Sequence, residues 1–146
     1  MTADISDTPA QQFLPSDALD IMTFSQIIEM DDADDHEFSV SIIFGFFDQV
    51  EETLQDLDKA LEERNMDEIY RLGHFLKGSS ATIGLIKVRD ACEKIQRYGK
   101  LENLDGTPNQ DKEQMLEKIE KTTSILKSEY SRAEKGLRAF YAQFGE

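Results

Sequence analysis

What the chain lacks narrows its class. It has one cysteine, Cys92, so no internal disulfide can form and a reducing compartment is expected. One cysteine and two histidines are too few for an ordinary zinc site. No lysine or arginine occurs before Lys59, so the start of the chain lacks the basic region of a secretory signal. No apolar run approaches the ~18 residues that a membrane-spanning helix needs. The only prolines are at 9, 15 and 108, which leaves long stretches free to be helical. Tryptophan is absent, and the thirteen aromatics are phenylalanine and tyrosine, which suits a core of phenylalanine, leucine and isoleucine. A net charge of −14 argues against general nucleic-acid binding.

At 146 residues the chain is expected to hold one domain with its own core. Residues 1–15 show no hydrophobic period and are expected to be a disordered tail, with the folded domain at 16–146. Thr23-Phe24-Ser25-Gln26 has the form of a capping box and predicts a short helix from Thr23 to about residue 30. The acidic run from Asp31 to Asp35 lacks the ligand spacing and central glycine of an EF-hand. Its aspartates are expected to cap the next helix, and His36 to be incidental.

That next helix is predicted over 37–63. Phe38, Ile42, Phe46, Val50, Leu54, Leu57 and Leu61 recur every three or four residues, with Ile43 and Phe47 widening the stripe. Phe24, Ile27 and Ile28 are expected to cover its open end. A fourth helix is predicted over 85–102, with Leu85, Val88, Ala91, Cys92, Ile95 and Gly99 inside, so Cys92 should be buried. Arg89, Glu93, Gln96 and Lys100 line one edge of that face. Residues 103–109 read as a loop. From about Asp111, Leu116, Ile119, Thr123, Leu126, Tyr130, Ala133, Leu137, Phe140 and Phe144 step by threes and fours. This face would serve either a dimeric coiled coil or, more economically, a bundle with the other helices.

The remaining helix, over 67–83, holds His74-Phe75-Leu76-Lys77-Gly78-Ser79-Ser80-Ala81. At about 100° per residue, Ile69, Leu72, Leu76, Ser79, Ser80 and Ile83 share one stripe and His74 lies nearly opposite. Its neighbours on the outer face are Tyr70, Lys77, Gly78 and Ala81. Ser79 and Ser80 should pack inward and bond back to carbonyls one turn earlier, and Gly84 should end the helix. An exposed imidazole with a cation one turn away suits a nucleophile that meets a phosphoryl group on another protein. Gly78 costs about 1 kcal/mol relative to alanine inside a helix, and needs compensation. Residues 71–100 carry seven basic side chains, Arg71, Lys77, Lys87, Arg89, Lys94, Arg97 and Lys100, against Asp90 and Glu93. The segment bearing His74 is thus basic in an acidic chain and suits docking to an acidic surface.

The run from His74 to Leu85 resembles the signature of histidine-containing phosphotransfer (HPt) proteins, in particular the fungal phosphorelay intermediates. The resemblance extends through Phe24–Asp32, Phe44–Gln49 and Cys92–Gln96 and covers about residues 20–105 well. It implies an all-α, antiparallel four-helix bundle with a short N-terminal covering helix. His74 would take a phosphoryl group from a receiver-domain aspartate and pass it to an aspartate of a response regulator. Lys77 would offset phosphate charge, Gly78 would permit approach, and Gln96 and Lys100 would assist at the phosphohistidine. Some relatives carry arginine where this chain has Lys100, and lysine gives up bidentate pairing. Phe24, Ile27, Ile28, Tyr70, Arg71 and Ala81 are candidates for partner contact. No intrinsic cofactor or metal is expected, with Mg²⁺ on the receiver domain. The implied partners are a hybrid sensor histidine kinase and response regulators in cytoplasm and nucleus, with no nucleic acid, no membrane, and a monomeric state.

Two other classes stand against this reading. A helical adaptor would bind receiver domains without accepting phosphate. An autonomous kinase would need a nucleotide-binding domain, and a di-iron bundle would need paired Glu-x-x-His motifs. Arg71 and Ala33 stand where those glutamates would be, so the chain is expected to be a stoichiometric carrier rather than an enzyme.

Overall fold

Five helices form among the residues described by this computed structural model, which are 13–15, 17–32 and 34–145. They are α1 (Ile21–Ile28), α2 (Glu37–Glu62), α3 (Met66–Ile83), α4 (Ile86–Gly99) and α5 (Lys112–Ala142). Local chemistry sets their limits. Asn65 caps α3 by accepting from the Glu68 amide at 3.1 Å, and Asp111 caps α5 by accepting from the Gln114 amide at 3.1 Å. Gly84 ends α3 in the left-handed region at φ 92°, as expected of glycine there.

The cap of α1 differs from expectation. Asp20, not Thr23, accepts from the amides of Met22 (3.2 Å) and Thr23 (3.4 Å), and also from the Thr23 hydroxyl (2.9 Å). A carboxylate is the stronger acceptor for helix-start amides, so the helix starts earlier than predicted and stops at Ile28. The Thr23 hydroxyl and amide hold the Asp20 carboxyl below the usual carboxylate range. The acidic turn does cap α2. Asp35 accepts from the Glu37 amide at 2.8 Å, and Asp31 accepts from both the amide and the hydroxyl of Ser39. His36 packs its ring 4.7 Å from that of Phe144, which gives it a structural place rather than an incidental one.

Short turns join α2 to α3 and α3 to α4, a longer loop over 100–111 joins α4 to α5, and α3 packs on α4, α4 on α5, and α2 on both α3 and α5. This closes an antiparallel four-helix bundle. The inner face of α2 is Ile43, Phe46, Phe47, Val50, Thr53, Leu57 and Ala60. Phe38, predicted inside, is exposed, and Ile42, Leu54 and Leu61 are only half-buried. The apolar residues of α2 span more of its circumference than its neighbours α1, α3 and α5 cover, so one edge stays open. On α5, every predicted position from Leu116 to Phe140 is buried. That face is spent inside the bundle rather than on a dimer seam. The Tyr130 hydroxyl donates to the Phe47 carbonyl at 3.3 Å, and Lys127 pairs with Asp58 at 2.8 Å.

The short α1 covers one end of the core, with the Phe24 ring edge-on to Phe140 at 5.5 Å. Ile86 donates to the Ala18 carbonyl (3.0 Å) and Asp20 to the Gly84 carbonyl (2.7 Å), which ties the chain before α1 to the α3–α4 turn. Packing begins ahead of residue 16. Leu14 is buried over Gly136, where a Cβ would lie 2.7 Å from its Cγ. The remainder of the expected disordered tail, 1–12, lies outside the described residues. Among those described, no helix is long and apolar enough to cross a membrane.

The closest helix contact is between α3 and α4. A Cβ on Gly73 would sit 3.0 Å from the Gln96 amide nitrogen, and one on Gly99 would sit 2.9 Å from the Tyr70 amide nitrogen. Two bare helix surfaces therefore meet backbone to backbone. Gly78, one turn past His74, has open space around its missing side chain.

The same substitution should consequently act in opposite directions at two glycines. Gly99→Ala should destabilise by about 1–3 kcal/mol, because backbone must move to admit it. Gly78→Ala should stabilise by about 0.5–1 kcal/mol through helix propensity alone. Urea unfolding of both variants reads the signs. Burial pushes the Cys92 thiol up to about 12, so a thiol reagent at pH 8 should label the unfolded chain at least tenfold faster than the native one, a ratio that follows from the tenfold change in thiolate fraction per pH unit. Equal rates would contradict the burial.

Candidate functional site

The physical reason His74 faces solvent is the pattern around it. Ile69, Leu72, Gly73, Leu76, Ser80 and Ile83 take the buried side of α3. His74, Phe75, Gly78 and Ala81 are left on the exposed side. The Tyr70 ring stacks on the His74 imidazole at 6.2 Å between centroids and 19° between planes. Lys100, just past the end of α4, places its Nζ 5.1 Å from the centre of that same Tyr70 ring.

Beside this array Lys77, Gln96 and Lys100 line one open groove of about 180 Å³ together with Glu93, Arg97 and Glu102. The predicted Lys77, Gln96 and Lys100 are thus brought together from two helices. The close glycine crossing of α3 and α4 is what makes this possible. The charges in the groove were less legible in advance. Lys77 Nζ is 3.7 Å from Glu93 Oε1, and Glu93 also faces Arg97 at 3.6 Å, which in turn reaches Glu102 at 3.7 Å. These partly exposed pairs are each worth about 0–1 kcal/mol. Lys77 is therefore held in place but is easily exchanged to a stronger anion. The Gln96 Oε1 is buried with no hydrogen-bond partner among the described residues. Its amide is thus a polar group in the groove not fully committed elsewhere.

Other predicted residues sit apart from this cluster. Arg71 is exposed and bound to Glu68 on its own helix, with its Nε donating to Oε2 at 3.0 Å. Hydrogen bonds from Arg71 hold the Glu68 carboxyl below its usual range. Phe24 and Ile28 are buried in the core, and Ile27 is half-buried against it. The exposed apolar side chains of this region are instead Met22, Met30, Phe38 and, on α3, Phe75. Met30, Phe38 and Ile42 share a shallow groove of about 400 Å³ with Asp32, Asp35, Glu37 and Ser41. The burial has a simple origin, since a helix of eight residues must bury its largest apolar side chains to be held at all. Ser80 is buried as predicted, but its hydroxyl has no partner among the described residues, and a back-bond on α3 comes from Thr82 to the Gly78 carbonyl at 3.0 Å.

Comparison with known proteins agrees with this geometry. The Hpt domain family profile matches residues 42–134. Multistep phosphorelay regulator 1 of Schizosaccharomyces pombe is 46% identical over 124 residues, which is 84% of this chain and 42% of that protein. Phosphorelay intermediate protein YPD1 of Candida albicans is 41% identical over 107 residues, 73% of this chain and 58% of that protein. The chain spans about half the length of these curated relatives. Among solved structures, the Saccharomyces cerevisiae histidine phosphotransfer signalling protein Ypd1, co-crystallised with the receiver domain of its downstream response regulator Ssk1, superposes with a TM-score of 0.76. The identity is 31%, over 88% of this chain and 97% of that one. With the family profile covering more than half its length and the bundle matching in space, this chain belongs to the Hpt domain family.

Proposed function

We propose that this protein is a histidine phosphotransfer intermediate of a multistep phosphorelay, with His74 as the phosphoacceptor. One observation carries the reading. An exposed imidazole stands among small residues, beside a groove that gathers Lys77, Gln96 and Lys100. The Nε2 lone pair of His74 attacks phosphorus in an aspartyl phosphate of a receiver domain. The N–P bond forms as the P–O bond breaks, and the carboxylate leaves with the electron pair. The Nδ1 proton stays on the ring. The reverse step delivers the phosphoryl group to the aspartate of a second receiver.

Lys77 exchanges Glu93 for the phosphoryl oxygens and offsets their charge. Gln96 supplies an amide donor, Lys100 a second cation, and Gly78 and Ala81 admit the receiver's surface. The receiver supplies Mg²⁺ and its own carboxylates, so this chain acts as a stoichiometric carrier rather than as an enzyme. A hybrid sensor histidine kinase stands upstream and response regulators downstream, in cytoplasm and nucleus. The docking face combines α1, α2 and α3 and uses Met22, Met30, Phe38 and Phe75. The protein acts as a monomer, supported by the enclosure of the heptad face of α5 within the bundle.

The test is transfer from a phosphorylated, Mg²⁺-loaded receiver domain to the native chain and to His74→Gln, read by intact mass and acid lability. Acid-labile phosphate is expected on the native chain alone. Phosphate on both would show that another residue carries it. Binding without transfer to either would favour a helical adaptor.

A further inference from the structure

The aromatic ring one turn before His74 is not explained by packing alone. Tyr70 is half-buried, and its backbone lies at the Gly99 crossing of α3 and α4. Its ring stacks on the imidazole and takes the Lys100 ammonium within cation–π range. One side chain therefore lies alongside the nucleophile on its own helix and beneath a groove cation from the next. Lys100 has no carboxylate within ion-pair distance among the described residues, in contrast to Lys77 and Arg97. Its ordering at the groove rests on the Tyr70 ring. A free lysine on a flexible four-carbon stem spends little time at any one station.

We infer that Tyr70 is a positioning residue for phosphoryl transfer, fixing the plane of the His74 ring and stationing Lys100 beside it. This rests on the reading of His74 as phosphoacceptor. The chemistry is that of the step above, and Tyr70 forms and breaks no bond in it. Preset cations lower the barrier because no reorganisation is needed as charge shifts to the leaving oxygen.

The experiment compares Tyr70→Leu and Tyr70→Phe, each with Lys100 intact and with Lys100→Ala, in single-turnover transfer from a phosphorylated receiver domain. Tyr70→Leu should slow transfer at saturating receiver by roughly two- to fivefold, the size of an exposed cation–π contact. Tyr70→Phe should match the native chain. In the Lys100→Ala background Tyr70→Leu should cost less than it does alone, because the two share one interaction. The His74 imidazole proton resonances, which need no transfer to be observed, should shift in Tyr70→Leu as the neighbouring ring is lost, and stay in place in Tyr70→Phe. Unchanged transfer and resonances in Tyr70→Leu would overturn the inference, as would equal loss in both Lys100 backgrounds. A native chain that takes no phosphate would instead overturn the reading of His74, while the resonance shifts would still report the stacking.

Discussion

The backbone-to-backbone meeting of α3 and α4 is the constraint on which the site depends. Gly73 lies against the Gln96 amide and Gly99 against that of Tyr70. With side chains at these two positions the helices would stand further apart. Gln96 and Lys100 would then be carried away from the helix that bears His74. The glycines thus act at a distance from the chemistry, by setting the separation of two helices whose side chains converge on one groove. They also impose a cost, because glycine weakens each helix it occupies. The buried stripes of α3, α4 and α5 offset that cost, at about 1.5–3 kcal/mol for each large apolar side chain fully enclosed.

The electrostatic design follows from the same geometry. The chain is strongly acidic, yet its basic segment is gathered on α3 and α4. Lys77 and Arg97 share Glu93, while Lys100 rests on an aromatic ring. Cations held this way are weakly bound and already placed. A transferred phosphoryl group would therefore meet ordered positive charge without having to extract it from a strong pair. Opposite-sign surface around the site would also favour encounter with an acidic partner at low salt.

Helix existence, order and inner faces were legible in the sequence because period and composition agree over long stretches, as on α5 and α3. The phase of α3 alone placed His74, Lys77, Gly78 and Ala81 on the outside. Other features escaped for physical reasons. The Thr23 capping box obeys a local rule, but Asp20 offers a better acceptor three residues earlier. Phe38 belongs to the apolar spacing of α2, yet the number of neighbouring helices, a tertiary property, decides which edge is covered. Phe24 and Ile28 were assigned to a partner surface on resemblance, and the short α1 needs them inside. The Lys77–Glu93 pair and the Tyr70–Lys100 contact cross between helices. They depend on the glycine crossing, which no single-helix period reveals. Gly73 and Gly99, in phase with the inner faces of successive helices, were the available signal.

The most direct test of the account is the identity of the atom that carries phosphate. Nitrogen-15 spectra of the phosphorylated protein, with coupling to phosphorus, would assign it. The account predicts a single phosphorus bonded to Nε2 of His74, with His36 unmodified. Phosphorus on His36, on a carboxylate or on a hydroxyl would contradict it.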